Sequence, residues 1–241
     1  MRRWLTAVVV VGLFSINSRD AAAQVSAGDL AAYAALSSTP IGALTPIMVS
    51  PGTKGEKAFN SFSGRYSHFS PSGGGDGSNQ FGATFYHQAG MNAAVSGTLG
   101  YISPSCTGCD GATILGGDVH STLWNNAEAK STSAMSANLQ GSLGYGHMKN
   151  GSALSLAVGV PLAYSMEQAS KSRIGFFVTP GFGWGRLSAT GGTSESGTRP
   201  LVGAGASWTS PAGWGLHLSY QAVVIDNGGN NIGLGFSWRM N

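Results

Sequence analysis

The chain has 241 residues, of which 38 are glycine, and charged residues make up only 10% of it, against about a quarter in an average globular domain. Thirteen basic and ten acidic residues fall well short of the roughly 25–35% charged surface of a soluble domain, which argues against an ordinary cytoplasmic enzyme. A hydrophobic fraction of 42% with a net charge of +3 also argues against intrinsic disorder, which combines low hydrophobicity with high net charge. No block of like charge marks a nucleic-acid-binding tail.

The N-terminus reads as an export signal. Met1-Arg2-Arg3 is a positive start, Trp4 to Ile16 is mostly apolar, and Ala21-Ala22-Ala23 before Gln24 offers an A-x-A cleavage site. Residues 1–23 are therefore expected to be a signal peptide, since the apolar run is shorter than the ~17 residues a spanning helix needs. No later apolar run is long enough for a transmembrane helix, so any membrane crossing falls to strands.

Residues 24–56 differ in kind. Ser26-Ala27-Gly28-Asp29 can cap a short helix carrying Leu30, Tyr33 and Leu36 on one side. Pro40, Pro46 and Pro51 then interrupt regular structure. The expectation is a periplasmic arm, with a lumen plug as the alternative.

From about residue 57 the hydrophobic period is two, which in a strand sends alternate side chains to opposite faces. The pattern predicts about ten strands, near 57–69, 79–88, 91–103, 112–124, 133–147, 152–164, 172–187, 198–209, 213–225 and 230–240, with eight as the alternative count. In the last, Ile232, Leu234, Phe236, Trp238 and Met240 share one face, opposite Gly233, Gly235, Ser237 and Arg239. Alternation alone does not say which face is buried. A polar face made of Gly, Ser, Ala, Asn and Gln, rather than Lys and Glu, suits a narrow enclosed interior. The expected fold is all-β, a single antiparallel transmembrane barrel over residues 57–241; a secreted β-sandwich is the rival. Phe69, Tyr101, Trp124, Tyr145, Tyr164, Trp184, Trp208, Trp214, Tyr220 and Trp238 lie mostly near strand ends, where barrels carry aromatic girdles.

The cleavable signal and the final strand, Ile232-Gly233-Leu234-Gly235-Phe236-Ser237-Trp238-Arg239-Met240-Asn241, resemble those of the small bacterial outer-membrane β-barrel proteins, the group that includes the OmpA, OmpX and OmpW types. The resemblance implies an outer-membrane location and recognition of Phe236, Trp238 and Met240 by the barrel assembly machinery. The group usually ends on an aromatic residue, often Phe, whereas this chain ends Met240-Asn241. It also implies periplasmic termini, short periplasmic turns near Gln88-Ala89-Gly90 and Ser210-Pro211-Ala212, and long outer loops around 70–78, 104–111 and 188–197. The connections at 125–132 and 165–171 are longer than that rule prefers, and the outer turn at Asn150-Gly151 is shorter.

Several constellations could carry chemistry. Cys106-Thr107-Gly108-Cys109 falls in a predicted outer loop and is expected to form a local disulfide in an oxidising compartment. A redox pair would need a βαβ setting, and zinc would need two further ligands. The closely spaced glycines Gly181, Gly183 and Gly185 lack the strand-to-helix turn of a phosphate loop. Asp118 and His120, at i and i+2, face the side opposite Val119, Ser121 and Leu123, and a carboxylate can orient a histidine for general-base work. The Asp-x-His pair is similar to that of the ten-stranded omptin-type outer-membrane proteases, but the second acidic pair of that group has no counterpart. The expected role of the pair is a structural hydrogen bond. A serine hydrolase built on His120 or His147 would lack a nucleophile setting such as G-x-S-x-G. Arg65, Asp118, His120, His217, Gln221 and Arg239 are expected to line the lumen, where polar groups either form a solute path or close it. No cofactor or metal site is indicated. The resulting expectation is a non-catalytic protein with a structural or surface-interaction role, in contact with outer-membrane lipid. A narrow porin-like channel for small solutes and a barrel enzyme using His120 are the alternatives.

Overall fold

The computed structural model describes residues 58–71, 77–89, 93–105, 111–127, 131–192, 194–224 and 229–240. The expected signal peptide (1–23), the arm or plug (24–56) and the expected Cys106–Cys109 disulfide lie outside the described residues.

Eleven strand segments follow one another: β1 (Phe59–Ser70), β2 (Ser78–Gln88), β3 (Ala93–Pro104), β4 (Ala112–Asn125), β5 (Ser133–Met148), β6 (Gly151–Gly159), β7 (Leu162–Glu167), β8 (Arg173–Ala189), β9 (Ser194–Thr209), β10 (Trp214–Val223) and β11 (Asn230–Met240). Every pairing is antiparallel. β1 pairs with both β2 and β11, so first and last strands join, and pairing continues around to β4 with β5. The sheet therefore closes on itself and leaves no edge.

β6 and β7 are two halves of one strand. Both pair with β5 on one side and β8 on the other, in one register: Gly159 faces Gln140 and Leu162 faces Ala137, while across the wall they face Gly181 and Val178. The interruption is Pro161, which has no N–H to give to the ladder. The Asn138 N–H still donates to the Pro161 carbonyl (3.0 Å), and the Val160 N–H donates to the Pro180 carbonyl (3.0 Å). Pro180 cannot return that bond either. Counted this way, the closed barrel has ten strands, matching the larger of the two expected counts.

Turn chemistry explains the ends. Ser210 to Gly213 closes β9 onto β10: the Ser210 N–H donates to the Trp214 carbonyl (2.8 Å) and the Gly213 N–H to the Ser210 carbonyl (3.0 Å). Gly213 has φ of 86°, a backbone region open to glycine at no steric cost. Gly191, at φ 75°, serves likewise between β8 and β9. Here two expectations need correction. The long outer loop expected at 188–197 is mostly ladder, because Ser188 pairs with Ser194 and Leu187 with Glu195. Likewise the connection expected at 165–171 begins later, since β7 runs to Glu167. In the first case Ser194, Ser196 and Thr198 sustain strand geometry where composition suggested loop; in the second, Ser165, Met166 and Glu167 are held by Gly175, Ile174 and Arg173 of β8.

The alternation of the sequence becomes an alternation of burial. In β10, Leu216, Leu218 and Tyr220 face outward and are exposed, while Ser219 and Gln221 face inward and are buried. The same sorting recurs in β1, where Ser61, Ser63 and Ser67 are buried and Phe62 and Tyr66 exposed. Phe69, expected in an outer girdle, points inward and is 3% exposed. It shares the odd parity of Arg65, so the pleat that puts Arg65 inside puts Phe69 inside too. Gly229 makes room for it, because a Cβ there would stand 2.4 Å from the Phe69 ring.

Candidate functional site

The candidate site is the lumen. All six polar residues expected there occupy inward-facing register positions, and the structure sorts five of them into three groups, with Gln221 apart.

The first group surrounds Asp118 on β4, next to β3. The Ser96 Oγ donates to Asp118 Oδ1 (2.7 Å), and His120 Nε2 lies 3.3 Å from Asp118 Oδ2. Both acidic and imidazole side chains are largely buried. Tyr86 of β2 sets its ring edge toward His120, with centroids 6.4 Å apart, and its hydroxyl donates to Gln88 Oε1 (2.8 Å). Phe59, Tyr86 and Ala94 complete a small apolar cluster beside them. The order of bonds matters chemically. A nucleophilic serine needs its hydroxyl on the base, whereas the Ser96 hydroxyl is spent on the carboxylate.

The second group joins β1, β10 and β11. Arg65 Nη2 donates to Ser219 Oγ (3.3 Å), and His217 Nε2 lies 2.7 Å from Ser237 Oγ. Gly233 gives the guanidinium its berth, since a Cβ there would come within 2.9 Å of Arg65 Nη2. The third group sits at the end where the chain enters and leaves the sheet. The Arg239 guanidinium carbon lies 3.9 Å from the centroid of the Phe59 ring, a cation–π geometry.

Gln221 and the unanticipated Gln140 are buried with both side-chain amide atoms lacking protein partners. Ile114 from β4, Leu201 from β9, Gln80, Gln140, Asn231 and Thr179 are fully buried side chains of the interior. Gln80 is held by the Ser67 hydroxyl (2.9 Å). The sequence did signal Ile114, which shares the parity of Asp118. Leu201 lies in the unalternating run Pro200-Leu201-Val202, which gives no facing information. No group of three metal-ligating side chains occurs among the described residues.

Outside, the polarity is reversed. Phe81, Leu99, Leu115, Val119, Leu156, Leu218 and Leu234 are among the many large apolar side chains that stand exposed around the wall, far beyond the few hundred Å² of apolar patch that a soluble monomer shows. Serine, threonine and glutamine fill the inside. A closed antiparallel wall with this inverted polarity satisfies every requirement of a strand-crossed bilayer. The chain is a membrane-spanning β-barrel.

The barrel's external aromatics fit that setting. Trp208 and Trp214 meet edge to face with centroids 4.7 Å apart, and Trp214 stacks near Phe236 at 6.5 Å. Trp214 pairs in register with Trp238, so tryptophans gather on the outer wall at one end of β9–β11. The residues expected to signal assembly, Phe236 and Trp238, are exposed to the surroundings on this face, and Met240 shares their parity.

Among solved structures, the barrel is similar to Ail, the attachment invasion locus protein of Yersinia pestis, with 13% identity and a TM-score of 0.34 over 76% of this chain and 97% of that one. It is similar to Neisserial surface protein A at 9% identity and a TM-score of 0.38, covering 76% and 97%. The outer membrane enzyme PagL matches at 12% identity and a TM-score of 0.37, covering 75% and 99%. At these identities the likeness describes architecture and transfers no activity. No family model matches the sequence, and no curated protein does.

Proposed function

We propose that the barrel is a closed, non-catalytic element of the outer membrane that acts through its surface. The observation that carries this reading is the burial of interior side chains from strands around the wall: Ile114 and Leu201, with Gln80, Gln140, Asn231 and Thr179, are closed to water. An open diffusion channel keeps a polar, wetted path through such a barrel, and water reaches the side chains that line it. The bonding of Ser96 to Asp118 rather than to His120 supports a structural role for the pair, in which the carboxylate ties β3 to β4 and fixes the imidazole. Conductance of the purified barrel in planar bilayers tests the closed lumen: the expected record is silent, and reproducible single-channel steps from folded protein refute it. Equal hydrolysis of peptide and lipid ester substrates by wild type and His120→Ala, at background level, is the result expected for a non-catalytic pair; loss of a measurable activity in His120→Ala refutes it.

A further inference from the structure

The geometry points to a binding site for the phosphate groups of outer-leaflet glycolipid on the outer wall of β5, β6, β8 and β9. These strands continue farthest from the end that holds Phe59 and Met240. Where the end that holds Phe59 and Met240 faces the periplasm, as the resemblance to outer-membrane barrels implies, that far end stands in the outer leaflet and beyond it. The registers lay one outward row across four strands: His147 faces Ser152, Ser152 faces Ser188, and Ser188 faces Ser194. His147 and Ser194 are exposed and the two serines between them half-buried. One outward row nearer the membrane, Tyr145, Leu154 and Arg186 align. Arg186 reaches away from the apolar wall, and its Nη2 donates to Ser194 Oγ (3.0 Å). Its guanidinium thereby joins the hydroxyl row. Lys149 stands at the exposed turn directly above His147.

This arrangement is a strip of hydrogen-bond donors with two positive charges, roughly 14 Å wide from the strand spacing. It runs along the upper border of an apolar face made by Leu143, Leu156 and Phe182. No described carboxylate lies in these rows. A guanidinium presents a planar fork of donors matched to phosphate oxygens, and a lysine adds a point charge. An acyl chain lying against Leu143, Leu156 and Phe182 would bring a phosphorylated sugar head group to the height of Arg186 and Lys149. A free phosphate would gain the charges and forgo the apolar contact, so the lipid is the occupant that uses both halves of the surface.

The test uses the mature barrel in detergent micelles, with thermal unfolding followed by the mobility of folded and unfolded forms on gels. Lipid A with its phosphates is expected to raise the unfolding temperature above that found with dephosphorylated lipid A, and added salt should shrink the difference. In the double variant Arg186→Gln with Lys149→Gln the difference is expected to vanish. Equal stabilisation by the two lipids, or a difference undiminished in the double variant, overturns the site. Inorganic phosphate is expected to give no shift, and a shift as large as the lipid's would overturn the assignment to a lipid head group. The two-lipid comparison on wild type needs no variant, so a poorly folding variant does not shield the proposal.

Discussion

Leu234→Arg separates a membrane wall from a soluble surface. Leu234 is 58% exposed and sits midway along β11, between Tyr66 of β1 and Leu218 of β10. On a soluble protein, replacing so exposed a side chain by arginine changes stability within about 0.5 kcal/mol. On a lipid-facing wall near the bilayer midplane the same change costs about 2–4 kcal/mol, and near the interface about 0–1 kcal/mol. Met240, on the same face at the end of β11, supplies the interfacial control. At 1.36 kcal/mol for each factor of ten, Leu234→Arg should reduce the folding equilibrium constant roughly thirty- to thousand-fold, while Met240→Arg changes it less than about tenfold. Urea unfolding from phospholipid vesicles, read by tryptophan fluorescence, measures both. Equal costs at the two positions, or a neutral Leu234→Arg, would refute the lipid-facing assignment of this strand.

Two further substitutions probe the interior. Asp118→Ala leaves the buried Ser96 hydroxyl and His120 ring without their shared acceptor and is expected to cost about 1–3 kcal/mol, with Asp118→Asn costing less than half of that; the same urea titration checks it, and equal costs would show that the hydrogen bonds are not what the carboxylate supplies. Gly205→Ala introduces a Cβ 2.4 Å from the Leu218 carbonyl oxygen and 2.5 Å from the Phe177 ring, an overpacking expected to cost about 1–3 kcal/mol; pairing it with Phe177→Ala should recover part of that cost in a double-mutant cycle, and strict additivity would contradict the contact.

The barrel was legible in the sequence because the pleat is a strict consequence of strand geometry. The alternation of Ile232, Leu234, Phe236 and Trp238 against glycine and serine fixes facing without tertiary information, and the parity of Arg65, Asp118, His217 and Gln221 follows from the same rule. Phe69 shows where a different signal misled: its place near a strand end suggested a girdle, but parity governs facing. The split at Pro161 and the extent of β8 and β9 were less legible. A proline reads as a break, yet here the chain keeps its register across Pro161 because neighbours on both sides hold it. The serine-rich stretch 194–198 reads as loop by composition, and only its partner, 184–188, makes it a strand. The groupings within the lumen were beyond the sequence, because each depends on inter-strand register: Ser96 reaches Asp118 because β3 and β4 place them opposite one another, and the glycine under the Arg65 guanidinium comes from β11.

A nitroxide scan of β11 in lipid vesicles addresses the inverted barrel most directly. Spin labels placed singly from residue 230 to 240, with Cys106 and Cys109 replaced by serine, report accessibility to lipid-soluble oxygen and to a water-soluble nickel chelate. Positions 232, 234, 236 and 238 should be open to oxygen and closed to nickel, with positions 231, 233, 235 and 237 shielded from both, so that oxygen accessibility oscillates with a period of two. Nickel access at the even positions, or the absence of any oscillation, would contradict a wall with apolar side chains in lipid and a packed polar interior.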